Sequence, residues 1–142
     1  MSRKTLETGV STLLLGVGLL VRRVRGAGKV HELSLTESAV LSRLGREGPA
    51  STAELARAEG MKPQSMGTVI GALERMELVE RKPHATDGRQ VNIALTVKGA
   101  AVRKNVMNAK HSWLAQAVAR LNEEDQETLF KAAEIIKHLA ER

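Results

Sequence analysis

One stretch limits the fold more than any other. From Lys82 to Thr96 the chain reads KPHATDGRQVNIALT. Two short runs rich in extended-chain residues face each other across Asp87-Gly88, in a chain otherwise punctuated as helices. Asp-Gly between alternating apolar residues is a strong hairpin signal. Leu78 and Val79 lead into the first run, and Val91, Ile93 and Leu95 alternate along the second. Arg89 follows the turn at once, and Lys82 opens the stretch. The expected fold class is therefore mainly α with a small β element (α+β).

The helices can be read from their periodicity and punctuation. Leu6, Val10, Leu13, Val17, Leu20 and Val24 alternate spacings of four and three, a heptad seam that Leu14 and Val21 widen. Such a helix either joins the core or packs on a partner subunit. Because it precedes the compact part of the chain, the second is expected. Gly26, Gly28 and the loop to Leu35 end it. Thr36 is the expected cap of the next helix, with Glu37 in its first turn and Val40, Leu41 and Leu44 on its apolar face. Gly48-Pro49 stops that helix. Ser51 caps a short third helix with Glu54 as its capping-box partner, Leu55 and Ala56 face inward, and Gly60 ends it. Lys62-Pro63 opens a fourth helix, with Met66, Val69, Ile70 and Leu73 as its buried stripe. Beyond the hairpin, Thr96 caps a long helix to about Arg120, lined by Val102, Val106, Ala109, Trp113 and Ala117. Asn122 caps the last helix, with Glu123, Glu124 and Asp125 at its positive end. Leu129, Ala133, Ile136 and Leu139 or Ala140 give its apolar face. No internal repeat or long linker divides the chain.

Composition narrows the chemistry. The chain has 142 residues, a single Trp, a single Phe and no Tyr, so its core must be built from Leu, Val, Ala, Ile and Met. The net charge of +6 favours polyanionic partners, nucleic acid before anionic membrane. The absence of cysteine excludes disulfides and thiol redox chemistry and agrees with a cytoplasmic protein. His31, His84, His111 and His138 are scattered, so no metal site is expected. The apolar run Gly9 to Val21 falls short of the ~20 residues of a spanning helix, and no membrane partner is expected. RGAGKV echoes a phosphate loop, but Arg23 stands where the first glycine should be and Val30 follows the lysine. No catalytic constellation and no cofactor site is legible, so the chain is not expected to be an enzyme.

Three central helices with short connections form a helix-turn-helix arrangement. Its second member carries a polar outer face of Gln64, Ser65, Gly67, Thr68, Gly71 and Arg75. Gln can pair with an adenine edge and the Thr methyl can pack on thymine. The glycines each weaken the helix by about 1 kcal/mol but allow close approach to a surface. A hairpin directly after such a unit reads as a wing, with Asp87-Gly88 making its turn and Asp87 pairing with Arg89 to fix the loop. Arg89 suits a narrow minor groove, where negative potential is concentrated.

The succession LTESAVLSRL, STAELARAEGMKPQSMGTVIGALERMELVER and DGRQVNIALTVKG resembles the MarR family of winged helix-turn-helix transcriptional regulators. The most specific pieces are Asp87-x-Arg89 and Leu95-Thr96-x-x-Gly99, and the likeness spans essentially the whole chain. The resemblance implies a winged helix-turn-helix core with N- and C-terminal dimerisation helices. Residues 1–30 would form the N-terminal dimerisation helix, 31–99 the DNA-binding lobe, and 100–142 the C-terminal dimerisation helices. It implies a homodimer whose interface includes Leu6, Val10, Leu13, Val17, Leu20, Val24, Trp113, Leu129, Ile136 and Leu139. Double-stranded DNA would meet Lys62, Pro63, Gln64, Ser65, Thr68 and Arg75 of the recognition helix, and Arg89 of the wing. Ser51 and Thr52 would meet phosphates. A small-molecule effector would engage Arg22, Arg23, His31 and Trp113. The family often has a basic residue near Thr68, so its absence here shifts weight to shape readout by Arg89. The family also often has glycine where Glu77 stands, and a left-handed Glu77 would be strained by ~1 kcal/mol. The expected function is a ligand-responsive repressor on a pseudo-palindromic operator. The rival is a winged-helix module for protein–protein assembly.

Overall fold

The computed structural model describes residues 1–83 and 86–141. His84 and Ala85 of the hairpin stretch, and Arg142, lie outside the described residues. Helices and strands follow in the order α1 (Arg3–Ala27), α2 (Leu35–Glu47), α3 (Thr52–Ala58), α4 (Pro63–Arg75), β1 (Val79–Pro83), β2 (Val91–Leu95), α5 (Val97–Ala119) and α6 (Glu123–Ala140). The expected α+β class with a small wing is what forms. The chain divides into two compact units, one of residues 28–108 and one of residues 1–27 with 109–142.

In the unit of residues 28–108, α3 packs on α4, α2 on α4 and β2, and α4 on β1. Val40, Leu41, Leu44, Leu55, Ala56, Met66, Ile70, Leu73, Leu78, Val79, Ile93 and Val102 form one apolar core without an aromatic ring. Burying each larger side chain of this kind contributes ~1.5–3 kcal/mol. Val69 is only partly buried, whereas Met66, Ile70 and Leu73 are fully so. Arg43 ties α2 to the end of α3, with Nε 3.2 Å from Glu59 Oε1 and Nη1 3.2 Å from Glu47 Oε2. Burial alone would lower the Arg43 pKa, but hydrogen bonds and charge from Glu47 and Glu59 raise it on balance.

Two caps differ in outcome. Ser51 and Glu54 form the expected capping box. At α2 the cap is Ser34 rather than Thr36. Ser34 Oγ accepts from Glu37 N at 3.1 Å, and Glu37 Oε1 accepts from Ser34 N at 2.8 Å. Thr36 is thus inside the helix. Gly48 (φ 86) and Gly60 (φ 65) end α2 and α3 in left-handed backbone.

The strands pair antiparallel in the register Val79↔Leu95 through Pro83↔Val91. The hairpin is less solitary than its sequence implies. Ala50 pairs with Ile93 through hydrogen bonds of 3.1 and 2.7 Å, adding a one-residue strand between α2 and α3. Ile93 is fully buried and Val91 exposed, and Ala94 is buried as well, so the alternation along β2 is incomplete.

In the other unit, α1 has no buried residue. Its seam residues Leu6, Val10, Leu13, Val17 and Leu20 are all exposed, and Val24 is half-buried. The core-helix reading therefore fails within this chain. By length and composition alone α1 could also cross a membrane, with 25 residues and a window of mean hydropathy 1.3. The shortfall read from Gly9–Val21 does not hold, because the helix runs on in both directions. Asn122 caps α6, accepting from Asp125 N at 2.8 Å. Leu129, Phe130, Ile135, Ile136 and Leu139 of α6 are exposed rather than turned inward.

Candidate nucleic-acid interface

Pro63 occupies the first turn of α4, after Lys62 in extended backbone (φ −71, ψ 145). Proline there gives up only an N–H that no helical partner would meet. On one side of the helix Met66, Ile70 and Leu73 enter the core. On the other, Gln64, Gly67, Thr68, Gly71 and Arg75 fall in one stripe at spacings of three and four. Lys62, Pro63, Gln64, Ser65, Thr68 and Arg75 are all exposed. A Cβ placed at Gly67 would meet nothing within 4 Å, and one at Gly71 would meet only Arg75 Nη1 at 3.5 Å. The glycines therefore do not make room for a neighbour within this chain. They leave shallow hollows between the polar side chains.

The wing stands beside this helix in the same unit. Thr86 and Arg89, which flank Asp87-Gly88, lie outside β1 and β2, so Asp87-Gly88 is not a two-residue hairpin turn. Nor is Gly88 in left-handed backbone. Instead Asp87 O accepts from Gln90 N at 3.1 Å, and Asp87 Oδ1 accepts from Arg89 N at 3.0 Å. The Asp87 carboxylate thus organises the tip through its own backbone, an Asx-type turn. Arg89 Nε lies 3.6 Å from Asp87 Oδ1, and the Arg89 side chain is 95 % exposed. The strand cations are engaged more closely: Arg81 Nη2 with Glu74 at 3.0 Å and Lys82 with Glu80 at 3.3 Å.

Ser51 forms the expected cap. Its hydroxyl accepts from Glu54 N at 3.1 Å and donates to Glu54 Oε1 at 3.0 Å. The second bond lies outside the capping box, so the hydroxyl hydrogen can turn to another acceptor with the cap intact. Thr52, the first residue of α3, is half-buried.

The MarR family model matches residues 33–91, which hold α2, α3, α4 and β1 and end at the first residue of β2. A relative in Mycobacterium bovis, the uncharacterized HTH-type transcriptional regulator Mb0904, is 35% identical over 131 residues, covering 92% of each chain. This chain belongs to the MarR family. It is a winged helix-turn-helix transcriptional regulator, not an enzyme. The HTH-type transcriptional repressor Rv2887 of Mycobacterium tuberculosis is 34% identical over 115 residues, covering 80% of this chain and 83% of that one. A MarR family protein from Bacillus stearothermophilus shares the fold over 100% of this chain and 99% of its own, with a TM-score of 0.85 at 18% identity.

Against this MarR-family frame, Glu77 has φ 63, so the left-handed backbone considered for that position is present on a non-glycine residue. The residues read as an effector site are divided between the two units. Arg23 stacks over the Trp113 ring, 5.4 Å from its centroid, in the unit that also holds Arg22. His31 belongs to the other unit, where its Nε2 lies 3.5 Å from Asn105 Nδ2. Among the described residues, no group of His, Asp or Glu side chains is placed to hold a metal ion. Lys98 was not singled out from the sequence. Its Nζ donates to Met76 O at 3.1 Å, just past the end of α4, and no local pattern signals a contact across that separation.

Proposed function

We propose that this MarR-family chain is a cytoplasmic, homodimeric repressor that reads a pseudo-palindromic DNA operator. The observation that carries the reading is the pairing, in one unit, of an unobstructed polar stripe on α4 with a solvent-exposed wing-tip cation, Arg89. Gln64, Ser65 and Thr68 would meet base edges in the major groove, where Gln and Thr side chains discriminate bases. Arg89 would enter the adjacent minor groove, where shape rather than base identity attracts a guanidinium. Lys62 and Arg75 would meet phosphates. The exposed apolar seam of α1 and the exposed face of α6 support dimerisation through residues 1–30 and 100–142. Two recognition helices in a dimer would reach successive major grooves about 34 Å apart. Bound near a promoter, the dimer would exclude polymerase.

Selection of duplexes from a genomic library, followed by affinity measurements across salt, tests the reading. Sequence-specific binding whose affinity falls linearly with log salt is expected. Arg89→Ala should weaken it by roughly 1–3 kcal/mol and lower the salt slope while the dimer persists. Failure to bind any duplex above the non-specific level would reject the regulator in favour of an assembly module. A small carboxylate effector is the further part of this reading, supported by the Arg23 guanidinium held against Trp113. Titrating Trp113 fluorescence with aromatic acids checks it, and the absence of a saturable change removes it.

A further inference from the structure

The tripeptide Met76–Leu78 joins the recognition helix to the wing, and the residues that open α5 hold each of its carbonyls. Lys98 Nζ donates to Met76 O at 3.1 Å, Thr96 Oγ1 donates to Glu77 O at 2.6 Å, and Thr96 N donates to Leu78 O at 3.1 Å. Thr96 Oγ1 also accepts from Gly99 N at 2.9 Å, capping α5. Gly99 closes the grip, since a Cβ there would collide with Leu78 O. The Thr96 N to Leu78 O bond is the closing rung of the β1–β2 ladder, next to the Val79↔Leu95 pair, so beyond it the Glu77 and Met76 carbonyls are met by the Thr96 and Lys98 side chains. At its centre Glu77 is left-handed, at φ 63. An L-residue relaxes out of that region unless its surroundings over-determine it. The end of α4 supplies part of that constraint, through Leu78 N to Leu73 O at 3.0 Å and Glu77 N to Glu74 O at 2.9 Å, and the three carbonyl contacts add the rest.

The consequence concerns the angle at which α4 leaves β1. A few degrees at Glu77 would swing the whole of α4 against the hairpin. A second tie, Glu74 to Arg81 at 3.0 Å, links the last turn of α4 to β1, and the α5 residues hold the corner on the side away from the helix-end bonds. Lys98 is exposed along α5, yet its ammonium reaches the negative end of the α4 dipole.

We infer that Thr96 and Lys98 are positioning residues of the DNA interface, fixing the angle between recognition helix and wing so that Gln64 to Thr68 and Arg89 engage one duplex together. The inference rests on the reading of α4 and the wing as the duplex-binding surface. Neither residue touches DNA; both act through the Met76–Leu78 corner.

The test is a double-mutant cycle on operator affinity, measured across salt, with Lys98→Met and Arg89→Ala. Lys98→Met keeps the aliphatic stem and removes only the ammonium. It should weaken operator binding about tenfold in the wild-type background and by no more than about twofold in the Arg89→Ala background, because one lost geometry cannot be lost twice. The salt slope should not change, and the thermal midpoint should stay that of the wild type. Lys98→Arg should restore affinity. An affinity that Lys98→Met leaves unchanged, or losses that simply add, would overturn the inference. A slope lowered by about one would do so too, by making Lys98 a direct phosphate contact. Thr96→Ser should behave as wild type and Thr96→Val as Lys98→Met. Should Thr96→Val fail to fold for want of the α5 cap, the Lys98 cycle still decides. If Arg89→Ala itself costs nothing, the underlying reading fails and the inference with it; a cost at Arg89 without coupling to Lys98 defeats the inference alone.

Discussion

Glu77 places a Cβ where an L-residue crowds the following carbonyl, a conformation that costs roughly 1–2 kcal/mol. Its side chain is exposed, so exchanging it for glycine would disturb no core contact. Glu77→Gly should raise the unfolding free energy by about 0.5–1 kcal/mol, the relief of φ strain being offset in part by the more flexible unfolded chain. Chemical denaturation measures this directly, and a lower stability would show that the carboxylate makes a contribution its exposure does not suggest. Ser51 shows the reverse relation between a residue and its surroundings. Its type and spacing to Glu54 announced the cap correctly, and both halves of the capping box form.

Among the elements, those set by near neighbours were legible. The capping box at Ser51, Pro63 in the first turn of α4, Thr96 before α5 and Asn122 before α6 all depend on residues three or four apart. The cap of α2 was open to the same reading, since Ser34 and Glu37 have capping-box spacing. Thr36, an equally good capping type two residues on, drew the boundary too far into the helix. What depends on distant partners was not legible. The single-residue strand at Ala50 exists because Ile93 offers it two hydrogen bonds, and Lys98 reaches Met76 across 22 positions. The wing turn misled through a strong local signal: Asp-Gly was read as the whole turn, but Thr86 and Arg89, which would have to pair across it, lie outside the strands. On α4 the polar stripe was legible because helical period alone places Gln64, Gly67, Thr68 and Gly71 together. Gly67→Ala is therefore a discriminating change. It fills open space, so it should stabilise the helix by about 1 kcal/mol while weakening operator binding if the hollow receives DNA. Tighter melting with undiminished affinity would show that the hollow is vacant in the complex.

For the whole molecule, the exposed apolar faces of α1 and α6 are where the proposed dimer is tested. Leu13 and Leu20 lie on the α1 seam and are 46 % and 42 % exposed, respectively. A Leu13→Glu, Leu20→Glu double variant should shift sedimentation from dimer to monomer and reduce operator binding by far more than any single contact, since each half-site is held through the other. A dimer that survives both charges would move the interface elsewhere. The uneven distribution of aromatic rings has a practical consequence. Trp113 and Phe130 both lie in the unit of residues 1–27 and 109–142, and the chain has no Tyr. The winged lobe is therefore optically silent in the near ultraviolet, while the unit that carries the exposed α1 seam reports through one indole per chain. A change in Trp113 emission on adding operator duplex would record the passage of a signal out of the DNA-binding lobe, with no label introduced into either.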